Sequence, residues 1–373
     1  MSSSGSGEGR GALSHVRVLD LTTNHTGYGA RLLSDLGASV CRPVIASDQP
    51  REGSPADLFL HAGKQLTQAD PASFAAFAAS TAFDVIFESS AFEPAPFSID
   101  IDAIQSASPR SIIVSFSPFG QEQAGLPATD LTILASGGLL SLGGYPDTEP
   151  VAVAGEQSLL ASGIFGAVAA LAALLESDTR TDGQWIDVSA QECVAFALED
   201  AVPDYYINGR TRRRHGDSAR EAGTGIYRCK DGYVSIVAGR LGTAKAWTTL
   251  RGWILAVGTP GSDALADPRW DDFAFRGQKE NIDQFARIFA AFGAQFSKQE
   301  LYVEGQKRQI AIAPVNSIGD LFSDPQLVHS GFFKSFTDAA GKELRIPGAP
   351  YRLSATPAIV PTRSDFVLAG ATP

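Results

Sequence analysis

Cysteine is scarce in this sequence: three occur in 373 residues, Cys41, Cys193 and Cys229. They show no metal-ligand spacing and read as reduced, mostly buried thiols of a cytoplasmic protein, with no metal expected. Basic charge is also in deficit. The net charge of −11 and a pI near 5.0 argue against a nucleic-acid binder, although a few local cations suffice to hold an anionic ligand. No apolar signal core opens the chain, and MSSSGSGEGRGALSH reads as a flexible tail over residues 1–15. The Gly5 and Gly7 pair in it precedes the first strand, which is the wrong context for a phosphate loop. There is no nucleophile-elbow pattern and no internal repeat. One apolar run, Leu159–Leu175, approaches the length of a membrane span, but Glu156 and Glu176 bracket it and it is rich in Ala and Gly. Small residues let a second helix approach closely, so the run reads as a buried core helix and no membrane contact is expected.

What is present points to a large globular chain. With 44% hydrophobic and 19% charged residues it can bury a sizeable core, and its length favours one large and one smaller domain. The first half alternates short β-branched runs with helical lengths. Strands are expected at Val16–Leu21, Ser39–Val44, Leu58–His61, Asp84–Glu88, Ser111–Ser117 and Trp185–Val188. Helices are expected at Gly29–Leu36, Pro71–Ser80, Asp130–Leu142, Gln157–Glu176 and Ala190–Asn208. That alternation predicts an α/β fold with a Rossmann-like, doubly wound large domain over residues 16–208. A charged linker at 209–224 then leads into a smaller inserted α/β domain at 225–325, which opens with a hairpin turning at Lys230-Asp231-Gly232. Residues 326–373 are expected to return to the large domain, with paired strands at Gly331–Phe336 and Lys342–Ile346.

Several segments, in order and spacing, resemble one family. They are VRVLDL…GYGARLLSDLGASV (Val16–Val40), LFLHAGK (Leu58–Lys64), SPRSIIVSFSPFGQ…TDLTILASGGLLSLGG (Ser108–Gly144), GQWIDVSAQE (Gly183–Glu192), GIYRCKDGYVSI (Gly225–Ile236) and APVNSIGDLFSDPQLVHSGFF…LRIPGAPYRLSATP (Ala313–Pro357). Together they resemble the class III CoA-transferases, the formyl-CoA and carnitine-CoA transferase family. The resemblance implies two chains threaded through each other as interlocked rings, with coenzyme A or an acyl-CoA as substrate.

It also implies a nucleophile that this sequence lacks. The helix in GEQSLLASGIFGAVAALAALLE resembles the one that carries the family's aspartate, four residues before the first helical glycine. That glycine is Gly163 here, and the nucleophile position is Leu159. The family's carboxylate attacks the acyl-CoA thioester to give a mixed anhydride. The released thiolate then forms an aspartyl-CoA thioester that the second acid resolves. Leucine has no oxygen to begin this. Glu156, three residues earlier, is the nearest carboxylate and the candidate displaced nucleophile. The two-base racemase chemistry of this fold is not equipped either, because Thr129 stands where a His would precede Asp130.

The resemblance places Arg42 and Lys64 near the nucleotide pocket, as contacts to CoA phosphates. Tyr28 and His25, in the loop after the first strand, are candidate pocket lining. The run Arg212-Arg213-Arg214-His215 offers a second possible anion clamp, and Gly239 and Gly242 lie where the family has a mobile glycine loop. The reading that follows is a CoA-transferase subunit without its own nucleophile, resembling the benzylsuccinate CoA-transferase type. Its partner would be an Asp-bearing paralogous chain. The alternatives are an active homodimer using Glu156, or a lyase or hydratase on the same scaffold.

Overall fold

The structure is a computed structural model describing residues 11–44, 55–68, 74, 81–93, 102, 105–106, 108–177, 182–214, 216, 219, 221–239, 245–337 and 341–359. The chain forms two compact units. The first comprises residues 1–143, 150–212 and 325–373, and the second 144–149 and 213–324.

Six strands build the sheet of the first unit: β1 (Arg17–Leu21), β2 (Ser39–Val44), β3 (Gln65–Gln68), β4 (Val85–Glu88), β5 (Ile112–Ser117) and β6 (Gln184–Ser189). They run parallel in the order β3-β2-β1-β4-β5-β6, the Rossmann arrangement. Every residue of β4 and β5 is buried, as continuous Val, Ile and Phe runs in a parallel sheet require. The strand order reverses between β1 and β4, and that is where such sheets open a ligand crevice at their carboxyl ends.

One expected strand is a helix. Leu58–His61 belongs to α2 (Pro55–His61), which follows α1 (Tyr28–Asp35). Pro55 at the helix start and Asp57 in its first turn favour the helix, and Gly63 at φ 80° ends it. The strand that follows, β3, is a polar edge strand whose single buried hydrophobic residue is Leu66, so no apolar run announced it. The expected helix 71–80 lies outside the described residues apart from Phe74. Asp130–Leu142 is divided: α3 (Asp130–Ser136) stops before Gly138 at φ 90°, and a 3-10 turn covers Leu139–Leu142. Ala190–Asn208 is likewise two helices, separated by Glu199 at φ 51°. Residues 11–15, read from sequence as tail, turn back on α1, where the Leu13 N–H donates to the Leu36 carbonyl at 2.9 Å.

The long apolar helix, α4 (Gln157–Ser177), packs on α1, β5 and β6 and buries Ala167, Ala170 and Ala173. Among the described residues it is the one helix long and apolar enough to cross a membrane. Its opposite face leaves Ile164, Val168 and Leu175 exposed. α4 and α1 meet through glycines, since a Cβ on Gly163 would fall 2.9 Å from the Gly29 nitrogen. Gly163→Ala is therefore expected to force the helices apart and cost about 1–3 kcal/mol. Urea unfolding checks this against Gly252→Ala, where the added methyl meets nothing within 4 Å and no loss is expected. The remaining helices of this region are α5 (Ala190–Phe196) and α6 (Ala201–Asn208).

The second unit is a three-stranded antiparallel sheet with helices. β7 (Thr224–Cys229) and β8 (Gly232–Val237) form the hairpin, turning at Lys230 and Asp231, and β9 (Ala311–Pro314) pairs with β8. Helices α7 (Ala246–Val257), α8 (Lys279–Gly293) and α9 (Lys298–Lys307) accompany it over an aromatic core that includes Trp247, Trp270, Phe285 and Phe289. Two further strands, β10 (Phe333–Thr337) and β11 (Glu343–Pro347), pair antiparallel in the first unit. Their Phe336 and Ile346 pack on Ala62 beyond α2.

Candidate functional site

At the carboxyl end of β1 a single carboxylate organises several cations. Asp20 is wholly buried, and its Oδ2 accepts from the Lys64 ammonium at 2.6 Å and from Arg42 at 3.4 Å. Its Oδ1 accepts from the Thr22 hydroxyl at 2.6 Å and the Thr22 N–H at 3.1 Å. Burial alone would raise the Asp20 carboxyl, but Lys64, Arg42 and His61 overcome it and hold the group well below the usual carboxylate range. Burial, helped by the neighbouring Arg42 charge, pushes the Lys64 ammonium down to about 8 against the opposing pull of Asp20. Burial, then Arg42 and Lys64, likewise keep His61 well below the ordinary histidine value. Gly27 makes the room, since a Cβ there would fall 2.5 Å from the Thr22 hydroxyl.

Lys64, expected from the sequence as a contact to a CoA phosphate, is turned inward. Its side chain is fully enclosed, donating to Asp20 and, at 2.9 Å, to the Gly27 carbonyl, so it acts as an internal counter-charge. Arg42 keeps about a fifth of its side chain exposed while donating to the Thr22 carbonyl at 2.6 Å. Two cations against one carboxylate leave the cluster a positive excess that reaches solvent through Arg42. His25 opens a short 3-10 turn capped by Asn24, and Tyr28 begins α1 stacked on Phe59. Both are half-buried beside the cluster's loop. Across the strand-order reversal, the Ser89 hydroxyl accepts from the Thr23 N–H at 2.9 Å and ties β4 to that loop. Glu88 ends β4 at 1% exposure. Its Oε2 accepts from Ser90 while Oε1 has no partner among the described residues. The sequence reading missed Asp20, His61 and Glu88; the lone acid inside the apolar run VRVLDL was the available signal for Asp20.

The start of α4 is built differently. Leu159 is 6% exposed and packs with Ile133, Leu134, Ala190 and Val194 in an apolar cluster. The adjacent Ser158 gives both its N–H and its hydroxyl to Asp130 Oδ1, at 2.7 and 2.6 Å. A carboxylate thus already occupies this helix N-terminus, as the dipole favours, but it comes from α3 and is engaged in holding the helix. Glu156 stands just outside α4, half-buried, its carbonyl accepting from the Leu160 N–H. No described residue hydrogen-bonds its carboxylate.

The sequence profile of CoA-transferase family III matches residues 13–364. The chain belongs to CoA-transferase family III. The BbsE subunit of succinyl-CoA:(R)-benzylsuccinate CoA-transferase from Thauera aromatica is 35% identical over 246 residues, covering 65% of this chain. The chain spans 59% of that relative's length. The alpha subunit of succinyl-CoA–L-malate CoA-transferase from Chloroflexus aurantiacus is 26% identical over 391 residues, covering 96% of this chain and 86% of that subunit. The fold also matches a CaiB/BaiF family protein from Brucella suis. The TM-score is 0.81 at 21% identity, covering 95% of this chain and 96% of the other.

Within this CoA-transferase family III chain, Arg212 and Arg214 are engaged locally. Arg212 pairs with Asp200 and Asp204, and Arg214 donates to the carbonyls of Tyr145 and Thr148. His215 and Gly242 lie outside the described residues. The Gly239 N–H donates to the Thr224 hydroxyl at 3.1 Å, and a Cβ on Gly239 would collide with the Glu221 carboxylate. Asp187 accepts from the Gln121 N–H at 2.9 Å and from Ser117, which fixes the turn after β5.

Proposed function

We propose that this chain is the subunit of a family III CoA-transferase that lacks a nucleophile of its own. It would act with an Asp-bearing paralogous chain to move CoA from an acyl-CoA onto a second carboxylic acid. Leu159 carries the reading: at the family's nucleophile position it is a buried hydrocarbon among hydrocarbons. Covalent transfer needs an ionised oxygen that can form an anhydride and then a thioester, and no side chain of that cluster has one. Two further features support it. Ile164, Val168 and Leu175 on α4, Phe196 on α5 and Tyr206 and Ile207 on α6 are exposed apolar residues that a partner chain would cover. The BbsE relative is itself named as a subunit. Arg42, with the cluster's positive excess behind it, would hold a phosphate of CoA, and His25 and Tyr28 would flank that ligand. The cytoplasm, where thiols stay reduced, suits its three free cysteines.

The test is transfer activity and adduct trapping with the chain alone and with its paralogue. Alone, the chain is expected to give no transfer and no hydroxylamine-sensitive adduct with acyl-CoA. The two chains together are expected to transfer CoA, with the adduct on the paralogue's aspartate, and replacing that aspartate by alanine abolishes activity. An adduct on Glu156 of this chain would overturn the proposal in favour of the self-sufficient enzyme.

A further inference from the structure

His61 closes α2 with an imidazole that the cation cluster orients while leaving one of its donors free. The residues His61-Ala62-Gly63-Lys64 form a turn in which the Lys64 N–H donates to the His61 carbonyl at 3.1 Å, and Gly63 takes φ 80°, a conformation that favours glycine. The turn returns the Lys64 side chain to the ring. There the three hydrogens of the ammonium meet three acceptors: Asp20 Oδ2 at 2.6 Å, the Gly27 carbonyl at 2.9 Å and His61 Nδ1 at 3.4 Å. An ammonium donates and cannot accept, so Nδ1 is the bare nitrogen, which assigns the proton of the neutral ring to Nε2. That Nε2–H has no hydrogen-bond partner among the described residues. The surroundings keep the ring in this form. Burial, then Arg42 from β2, Lys64 and the His25 ring disfavour a second proton, against the opposing pull of Asp20 from β1. β10 and β11 bring the apolar Phe336, Ile346 and Leu344 to this end of α2.

We infer that His61 is an anion-binding residue, a neutral Nε2–H donor that joins Arg42 on one phosphate group. The inference rests on the reading of Arg42 as the contact to a CoA phosphate and adds the second donor of that site. Arg42 is the charge that acts most strongly on the ring, which puts guanidinium and imidazole within reach of one ligand. Both are partly exposed, whereas Lys64 and Asp20 are fully enclosed. Charge explains why a neutral group serves here. Asp20 cancels one of the two cations and the remaining positive charge attracts the anion. The imidazole then adds direction without adding a third cation to the cluster. A cation donating to Nδ1 also withdraws density from the ring and strengthens Nε2–H as a donor. A phosphate oxygen, being charged, makes the resulting bond one of the stronger kind. Lys64 thus acts on the ligand through His61, as a positioning residue that fixes the tautomer.

NMR of the full chain carrying nitrogen-labelled histidine, titrated with inorganic phosphate, and calorimetry with CoA test it. The chain has five histidines, so His61→Gln identifies the His61 signals by their loss. The ring is expected to show Nδ1 bare and Nε2 protonated, unchanged between about pH 7 and pH 6, and phosphate is expected to shift Nε2. His61→Phe removes the donor and is expected to weaken CoA binding about ten-fold or more, as the loss of a hydrogen bond to a charged group does. His61→Gln, whose amide can accept from Lys64 and donate to the ligand, is expected to keep most of the affinity. Because the ring carries no charge, the ratio of wild-type to His61→Phe affinity is expected to be the same at both pH values. A proton on Nδ1, an imidazolium at neutral pH, phosphate that leaves Nε2 unmoved, or wild-type CoA affinity in His61→Phe overturns the inference. The wild-type spectra decide the question even where His61→Phe fails to fold. Arg42→Gln separates the two readings. Lost CoA affinity there with none lost in His61→Phe defeats the role of His61 alone, whereas full affinity in Arg42→Gln defeats the phosphate assignment on which it rests.

Discussion

Replacing Lys64 with methionine is expected to destabilise the protein by about 3–5 kcal/mol, one of the two largest effects anticipated for a single substitution. The ammonium is the nearest cation to a carboxylate with no solvent exposure, and it lies 2.6 Å from Oδ2. Without it, Asp20 keeps the distant edge of Arg42 and the Thr22 donors, which do not neutralise a buried anion. Pairing Lys64→Met with Asp20→Asn removes the orphaned charge and is expected to recover most of the loss. A double-mutant cycle by denaturant unfolding measures this, and additive losses would contradict the ion-pair account. The pH dependence follows from the same group. The Asp20 carboxyl ionises below its free value of 3.8, so the folded state holds that proton less tightly than the unfolded one. Its stabilising contribution is therefore complete above that free value and is lost as the pH falls below it toward the folded value. Asp20→Asn is expected to flatten this acid limb.

Leu159→Asp is the second. An aspartate here places a carboxylate among Ile133, Leu134, Ala190 and Val194, and is expected to cost about 2–4 kcal/mol at neutral pH. Burial raises the pKa of such a group, so the folded state binds its proton more tightly than the unfolded state. The variant is then most stable in acid and loses stability as the pH rises from the unfolded value through the folded one. Leu159→Asn, which cannot ionise, is expected to lose stability without that slope. Unfolding at pH 4 and pH 7 separates them. Equal stability of Leu159→Asp at the two values would mean that the new carboxylate has reached solvent or a cation, and that the cluster is not the closed hydrocarbon environment it forms around leucine.

The places where the sequence misled have physical causes. PADLFLH is apolar enough for a strand, and only the proline at its start and the glycine after its end show that it closes as a helix. QLTQ pairs at the sheet edge through its backbone and needs no hydrophobic run, so it left no trace in the pattern. Glu199 and Gly138 divide segments whose periodicity reads through them, because a local break in φ does not disturb the order of apolar residues. Lys64 was legible as a cation near the pocket, but not as a cation facing inward.

The sequence by itself determined the alternation of strands and helices, the apolar helix of small residues and the family. These are local or linear properties: burial runs, glycine spacing and residue identity do not depend on what the chain meets later. Only the tertiary structure decided which groups face one another. Lys64 finds Asp20 across 44 residues, which leaves Arg42 as the cation of the pair still reaching solvent. Leu159 finds Ile133 and Leu134 of α3 and Ala190 and Val194 of α5, brought to it from segments on either side of its own helix. A carboxylate's partner and a pocket's lining are set by the folded path of the chain, and side-chain chemistry acquires its role only there.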